Sequence, residues 1–170
     1  LDAAGNYRWL YERVELLYDT DGKPLEVVGS VVDITELKDA QQGLAESEER
    51  YRTLFEQSQD AITISTADGR YIDVNESFLD LIGYSRDEVA DLDVDTLYAD
   101  DEERAQMRQQ IAEVGAVRDY ELRLRRRDGT SIDSLITTNA RHDADGGIIG
   151  YQGIIRDVTE LKRLSQIGQI

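Results

Sequence analysis

Apolar and polar residues alternate in five short segments of the chain, and alternation of this kind is typical of half-buried β-strands. The first two segments, 61–66 and 71–74, are separated by a tight aspartate–glycine turn, which predicts a hairpin. Three further segments, at about 117–126, 130–141 and 148–157, are joined by turns of similar composition. The pattern therefore predicts five strands, and the last three follow one another without a helix between them.

Helical signals fill the stretch between the second and the third of these strands. Asn75 is a favourable N-cap for a short helix that ends at Gly83, and Ser85 and Glu88 have the spacing of a capping box. A longer helix is predicted over 101–114, where apolar side chains recur four residues apart. This order of elements predicts an α+β domain, with a five-stranded antiparallel sheet and short helices packed on one of its faces.

The chain repeats part of itself at a distance of 124 residues. Residues 5–38 align with residues 129–162 without a gap, and ten of the 34 aligned positions are identical. The identities include an Asp-x-Asp-Gly turn and a closing Asp-x-Thr-Glu-Leu-Lys motif. We therefore predict that residues 1–35 are the C-terminal fragment of one domain and that 58–159 form a complete second domain. A lone hairpin is marginally stable in water, so residues 1–35 are expected to fray or to pack on a neighbour.

A helix is predicted over the linker 36–57 between the two repeats. Leu37, Leu44 and Tyr51 recur every seven residues, and Leu54 occupies the companion position of the last heptad. This spacing is that of a two-stranded coiled coil, which predicts a signalling helix that pairs two copies of the chain as a homodimer. An amphipathic helix lying on its own domain is the alternative, since other companion positions carry small residues.

Composition narrows the classes of partner and compartment. The chain has 36 acidic and 19 basic residues and a net charge of −17, which argues against nucleic acid as a partner, because phosphate binding depends on Lys and Arg. No apolar run approaches the ~20 residues that a membrane span needs, and no signal-peptide pattern is present, so we expect a cytoplasmic protein. With 21 Asp, 16 Arg and 3 Lys, the surface favours a salt-rich, haloarchaeal type of cytoplasm; an acidic mesophilic protein is the alternative.

Four motifs in and beside the complete second domain resemble those of PAS domains in their order and spacing. One departure is the Tyr98–Asp101 turn, where the family commonly has a His-Pro-Glu-Asp type of turn. The resemblance identifies a PAS/PAC sensory module in tandem, because residues 1–35 are similar to the end of a preceding PAS domain. The motifs are E-E-R-Y-R-T-L-F-E-Q-S at 48–58, D-G-R-Y-I-D-V-N-E-S-F at 68–78, G-Y-S-R-D-E-V at 83–89 and D-V-T-E-L-K-R at 157–163.

The resemblance implies a sensory or signal-relay module of a larger signalling protein, of the histidine kinase, cyclic-dinucleotide enzyme or transcription regulator type. The chain itself is not expected to be an enzyme, and an output domain is expected downstream. In this family a shift of the sheet passes through the closing Asp-x-Thr into a coiled coil, which implies that Asp33, Thr35, Asp157 and Thr159 transmit the signal. The residues alone support helix capping by Thr159 at the start of an output-linker helix, 160–170.

The cofactors of this family can be compared with the residues present. A flavin–thiol adduct and a thioester-linked coumaryl chromophore both need a cysteine, and the chain has none, so both are excluded. Haem in the family is usually held by a His on the long helix, whereas the single His142 lies at the end of a predicted strand, which disfavours haem. The identity of any ligand therefore stays open.

An acidic segment mimics a metal site. Asp91, Asp93, Asp95 and Glu102 have the spacing of a calcium-binding EF-hand loop. The position that needs Gly for the sharp turn is Thr96, so we favour a solvated acidic surface and predict no metal site. A metal-binding enzyme domain is accordingly the weakest of the alternatives.

We expect a ligand cavity between the inner face of the sheet and the helices of residues 91–114, with Thr138 as a polar handle. Few polar groups converge there, so a filled core is the alternative, and with it a ligand-free structural relay that works through dimerisation. The candidate lining residues are Ile64, Phe78, Tyr98, Met107, Ile111, Leu122, Ile136 and Thr138.

Overall fold

A computed structural model describes residue 1 and residues 3–167 of the chain, which divides into two compact units, Leu1–Arg52 and Thr53–Ile170. The last three residues of the predicted helix 160–170 lie outside the described residues. The first unit holds strands β1 (Leu10–Tyr18) and β2 (Pro24–Asp33) and most of helix α1 (Thr35–Glu56). The second holds β3 (Ala61–Thr66), β4 (Tyr71–Val74), α2 (Glu76–Ile82), α3 (Arg86–Ala90), a 3₁₀ turn (Val94–Leu97), α4 (Asp101–Val114), β5 (Ala116–Arg125), β6 (Ser131–His142), β7 (Ile148–Asp157) and α5 (Thr159–Ile167).

The second unit contains one five-stranded antiparallel sheet in the order β4-β3-β7-β6-β5. Strands β5 and β6 bury every second residue over most of their length, and the buried side chains join those of α2, α4 and the 3₁₀ turn in one apolar core. The predicted α+β fold, with helices on one face of five strands, is therefore confirmed. Among the described residues, no helix is long and apolar enough to span a bilayer.

The helix signals of the sequence also form as predicted. The Asn75 side chain accepts a hydrogen bond from the Phe78 amide at the start of α2, and Gly83 ends this helix with a φ of 77°. Ser85 and Glu88 form the reciprocal bonds of a capping box at the start of α3. These local bonds fix the two short helices between β4 and the 3₁₀ turn.

Strand β3 is inverted relative to the expected pattern. Thr63 and Ser65 are buried on the inner face, whereas Ile62 and Ile64 are half-buried on the opposite face. The assignment of Ile64 to the cavity lining was therefore wrong. The physical reason lies in the neighbouring strand β7. Ile154 of β7 lies beside Ile62, and Gln152 lies beside Ile64, so that Ile62 and Ile64 belong to an apolar patch on the outer face.

The first unit is a two-stranded hairpin followed by a helix, and it repeats the geometry of β6 and β7. Leu10 pairs with Asp33 as Ser134 pairs with Asp157, and both hairpins continue in the same register. Both have a bulge at the same place, between Leu17 and Tyr18 in one hairpin and 124 residues later in the other. The internal repeat of the sequence thus corresponds to a repeated hairpin.

The threonine of the closing motif fastens the end of the hairpin to the helix that follows. Thr159 Oγ1 accepts a hydrogen bond from the Asp133 amide at 2.9 Å, and the Thr159 amide donates to Asp157 Oδ1 at 2.9 Å. In the first unit, Thr35 makes the equivalent bonds with Trp9 and Asp33, also at 2.9 Å. One hydroxyl therefore ties the start of the helix to the beginning of the neighbouring strand.

Replacing Thr159 by Val is expected to lower the free energy of unfolding of the second unit by about 1–2 kcal/mol, because the Asp133 amide loses its acceptor. Urea unfolding followed by circular dichroism measures the change. Thr159→Ser keeps the hydroxyl and should stay within about 0.5 kcal/mol of the parent chain. A loss in Thr159→Ser together with no loss in Thr159→Val would show that the methyl group, and not the hydroxyl, matters here.

Candidate functional site

A cavity of about 70 Å³ lies between the inner face of the sheet and helix α4. Its floor is formed by the inward-facing residues of β3, β7 and β6, and its walls by α4, the 3₁₀ turn and the turn between β3 and β4. Liquid water occupies about 30 Å³ per molecule, so the space suits a compact molecule of few atoms.

The centre of the floor is a glycine between two threonines. Gly153 of β7 is in register with Thr63 of β3 on one side and with Thr138 of β6 on the other. A Cβ atom on Gly153 would lie 2.9 Å from Thr63 Oγ1 and 3.5 Å from Thr138 Oγ1. The absence of a side chain at this position therefore leaves room above the sheet.

Three buried residues with hydroxyl side chains line this floor, and two of them, Thr63 and Thr138, flank the glycine. Thr63, Ser65 and Thr138 are each 9% exposed or less. Their hydroxyl groups form no hydrogen bond with another residue in the part of the chain that the structure describes. Buried polar groups in proteins are normally paired with protein or with ordered water. Hydroxyls that face a cavity without a protein partner are therefore available to whatever fills it.

One carboxylate holds two arginines at the rim of the cavity. Asp95 Oδ1 accepts from Arg104 Nε at 3.1 Å, and Asp95 Oδ2 accepts from Arg108 Nη1 at 3.4 Å. The Arg104 guanidinium also lies 4.3 Å from the centre of the Tyr98 ring, and its side chain is 16% exposed. Stacking on a buried ring fixes the orientation of this cation.

Two tyrosines complete the lining on the side of β4 and the 3₁₀ turn. Burial raises the pKa of both Tyr71 and Tyr98, so their hydroxyl groups stay protonated at neutral pH. The ring of Tyr71 packs against that of Phe78, with 5.2 Å between the ring centres. Tyr98 stands where the sequence departs from the turn usual in the resembled family, and here it supplies the surface on which Arg104 stacks.

The structure brings together about half of the residues predicted for this site. Tyr98, Ile111, Ile136 and Thr138 line the cavity. Phe78, Met107 and Leu122 are buried in the surrounding core rather than at the cavity wall. Ile64, as described above, lies on the other face of the sheet.

Apart from Thr138, the polar residues of the lining were missed in the sequence. Arg104 and Arg108 are four residues apart on α4 and precede Ile111, which is the signal that could have placed them on the cavity side of the helix. Thr63, Ser65 and Gly153 were missed because the inner face of each strand was predicted from its apolar residues alone.

The acidic segment has structural partners. The Asp93 side chain accepts from the Asp95 amide at the start of the 3₁₀ turn, and Asp95 pairs with the two arginines. Among the residues that the structure describes, no three acidic or histidine side chains are grouped as a metal site. These bonds give Asp93 and Asp95 structural roles in the 3₁₀ turn and at the rim of the cavity.

A buried asparagine connects the end of α1 with the elements around the cavity. Asn75 is fully buried; its Oδ1 accepts from the amides of Ile62 and Phe78, and its Nδ2 donates to the carbonyls of Phe55 and Asp60, all at 2.9–3.1 Å. Nearby, the Glu76 amide donates to the Glu56 carboxylate at 3.0 Å. The last turn of α1 is thus bonded to the start of β3, a strand of the cavity floor, and to α2.

The remaining face of α1 is open. Its only buried residue is Phe55. The heptad residues Leu37, Leu44, Tyr51 and Leu54 are between 46% and 69% exposed. The apolar stripe that the sequence predicts is therefore largely exposed in the part of the chain that the structure describes.

Comparison with known proteins shows similarity to bacterial and archaeal sensors. The family described as PAS domain matches residues 59–160. The two-component sensor PprA of Pseudomonas aeruginosa is 34% identical over 167 residues, which are 97% of this chain and 18% of that protein. A methyl sulfide methyltransferase-associated sensor of Methanosarcina acetivorans is 30% identical over 140 residues, 81% of this chain and 13% of that protein. The chain thus spans less than a fifth of each of these curated relatives.

A solved structure agrees with this similarity. The PAS domain of an HTR-like protein from Haloarcula marismortui matches with a TM-score of 0.57 and 28% identity. The match covers 71% of this chain and 98% of that domain.

Proposed function

Because this chain belongs to the PAS domain family, we propose that it is the sensor module of a longer signalling protein and that it responds to a small molecule in the inner cavity. The observation that carries this proposal is the set of buried hydroxyls on Thr63, Ser65 and Thr138, which face the cavity without a protein partner. A ligand or ordered water that bonds to them stabilises the arrangement, whereas an empty cavity leaves them unpaired.

Two bonded routes support transmission of this state to the helices. Strand β3 carries Thr63 and begins beside the Asn75 network, which holds the Phe55 carbonyl at the end of α1. Strand β7 carries Gly153 and ends at Asp157 and Thr159, where α5 begins. A ligand that moves the floor of the cavity therefore acts on strands that lead directly into both flanking helices. Asp33 and Thr35 play the corresponding part for α1 in the first unit.

The proposed output lies elsewhere in the longer protein. Two of the similar proteins are named as sensors, and this chain corresponds to a small part of each. We infer that the module controls an output domain, of the histidine kinase or transcription regulator type, as part of a homodimer paired through α1. The cytoplasmic and salt-rich setting stays a prediction from composition.

We further infer that residues 1–35 are the end of a preceding PAS domain. The repeated hairpin register, the shared bulge and the equivalent threonine bonds support this assignment. In the second unit, β7 pairs with β3 on the side away from β6, and β6 pairs with β5 on the side away from β7. By the same pattern, β2 and β1 are expected to pair with strands that precede this chain in the longer protein.

A ligand-free relay is the second candidate, and the small volume of the cavity favours it. The ligand sensor and the ligand-free relay predict different masses for the purified protein. We expect native mass spectrometry of the freshly purified chain, in a volatile salt, to show mass beyond the polypeptide, and chromatography of the denatured sample to release the same molecule. Gly153→Ala, which narrows the cavity, should lose that extra mass. Bare polypeptide at twice the monomer mass in the parent chain would instead support the ligand-free relay.

A further inference from the structure

The chemistry of the cavity indicates more than the presence of a ligand. Resting on the proposed function, we propose that the ligand is a short-chain organic acid with a second hydrogen-bonding group, such as a hydroxy acid. Its carboxylate would bind Arg104 and Arg108, its hydrocarbon part would lie against the isoleucines, and its second polar group would meet the floor hydroxyls.

The rim arginines leave N–H donors open to a ligand. A guanidinium has five N–H donors, and Arg104 donates to Asp95 through Nε alone among the described residues. Because the Tyr98 ring holds the guanidinium plane in place, the terminal amino groups of Arg104 present a fixed fork of the kind that binds carboxylates.

The charged side chains at the rim favour an anion. The acidic and basic residues that line the cavity are Arg104, Arg108, Asp95 and Asp68. Asp68 is exposed and pairs with Arg70, a residue outside the lining, at 3.5 Å. Among the described residues, Asp95 is the one carboxylate that pairs with Arg104 and Arg108, and the two cations share it. An anionic ligand can pair with the N–H donors that Asp95 leaves open, and a cationic ligand is disfavoured.

The apolar wall of the cavity favours a ligand with a hydrocarbon part. Ile111 of α4 and Ile136 and Ile155 of the sheet line the cavity together with Gly153. An inorganic anion makes no use of such a wall, whereas methylene or methyl groups gain free energy on burial against it. Beyond the wall, Thr63 and Thr138 are placed to bond a hydroxyl or a carbonyl oxygen. The combination fits an acid that is polar at both ends.

The volume of the cavity limits the size of the ligand. Pockets for drug-sized molecules usually measure about 300–1,000 Å³, several times the volume found here. A flavin or a haem therefore does not fit this cavity as it stands, while an acid of a few carbon atoms needs little rearrangement.

The test uses the 170-residue chain and four probes measured by calorimetry: 3-hydroxybutyrate, butyrate, 3-hydroxybutyramide and inorganic phosphate. We expect 3-hydroxybutyrate to bind at least tenfold more tightly than each of the other three. Relative to 3-hydroxybutyrate, the amide lacks the charge and has an NH2 donor in place of one carboxylate oxygen, butyrate lacks the hydroxyl, and phosphate lacks the hydrocarbon part. Methyl NMR shifts at Ile136 and Ile155 locate the binding in the cavity.

Two variants assign the contacts. Arg104→Gln should weaken 3-hydroxybutyrate and butyrate at least tenfold, while Arg118→Gln, at an exposed position of β5, should leave both unchanged. Thr138→Val should abolish the preference for 3-hydroxybutyrate over butyrate. The same variant should unfold at a higher urea concentration than the parent chain without ligand, because a buried hydroxyl without a partner is replaced by a methyl group.

The outcomes separate this inference from the proposed function. Binding of the amide as tight as that of the acid would overturn the assignment to an acid and leave a ligand sensor in place. Equal binding of phosphate would overturn the need for a hydrocarbon part. If no probe binds but the purified chain retains another molecule, the ligand class is wrong and the sensor function stands. If no probe binds and the chain carries no extra mass, both are wrong.

Discussion

Replacement of Asn75 by Ala is expected to lower the free energy of unfolding of the second unit by about 3–5 kcal/mol, one of the two largest effects we predict. The side chain is fully buried and makes four hydrogen bonds to main-chain groups of three elements and one loop. Alanine removes all four bonds; the Phe78 amide keeps its bond to the main-chain carbonyl of residue 75, and the Asp60 carbonyl keeps its bond from the Ser58 hydroxyl. No neighbouring side chain can take over both the two bonds that the Asn75 side chain accepts and the two that it donates.

Urea unfolding measures this loss, and hydrogen exchange shows where it acts. Amides in the last turn of α1 and at the start of β3 should exchange faster in Asn75→Ala, because both are joined through this side chain. Asn139→Ala, at an exposed position of β6, is the matched control and should change stability by less than about 0.5 kcal/mol. A loss below about 1 kcal/mol for Asn75→Ala would contradict the role we assign to this residue.

Asn75→Asp gives a sharper comparison. The carboxylate keeps both acceptor bonds, to the amides of Ile62 and Phe78, and loses both donor bonds to the carbonyls of Phe55 and Asp60. Burial next to carbonyl oxygens favours the protonated acid, so this variant should become more stable as the pH is lowered below neutral. Asn75→Ala should show no such pH dependence relative to the parent chain.

Replacement of Leu44 by Asp is expected to weaken self-association at least 100-fold, if α1 pairs two copies as we propose. Leu44 is 62% exposed in the described chain, at the centre of the heptad stripe, and an aspartate there would bring two like charges together in the dimer. Analytical ultracentrifugation over a range of concentrations measures the change.

The control for this variant lies one residue away. Ala45→Asp adds the same charge to the same helical turn, outside the stripe, and should leave the dimer intact. Since Leu44 has no buried contact in its own chain, the second unit should unfold at the same urea concentration in both variants. A dimer that persists in Leu44→Asp, or a parent chain that is monomeric at high concentration, would exclude α1 as the pairing surface.

The elements were predictable from sequence because local chemistry determines them. The bounds of α4 and β7 agree with the predictions at every residue, since a capping Asp100 and a C-terminal Gly115 frame the helix and the repeat frames the strand. Strand β3 shows the limit of this reasoning. Its alternation was recognised, but the inner face could not be identified, because the polar residues face a cavity and the isoleucines face outwards.

The cavity itself depends on contacts between distant parts of the chain. Gly153 shapes the floor only because β3 and β6 place Thr63 and Thr138 beside it. Arg104 becomes a fixed cation only because Asp95 and Tyr98 approach it from the preceding turn. Neither relation is visible in a local window of sequence, which is why Thr138 and three apolar lining residues were predicted, whereas Thr63, Gly153 and Arg104 were not.

The equivalence of the two hairpins has a consequence for how such a protein changes in evolution. The turn, the bulge, the strand register and the threonine junction recur at one constant spacing of 124 residues. A recombination event between equivalent points of the two copies would remove or add one whole domain and rejoin the chain within the same hairpin framework. Strand β7 would then lead into helix α1, or β2 into α5, with the same start to the helix. Arrays of these modules can therefore gain or lose a domain without the evolution of a new linker sequence.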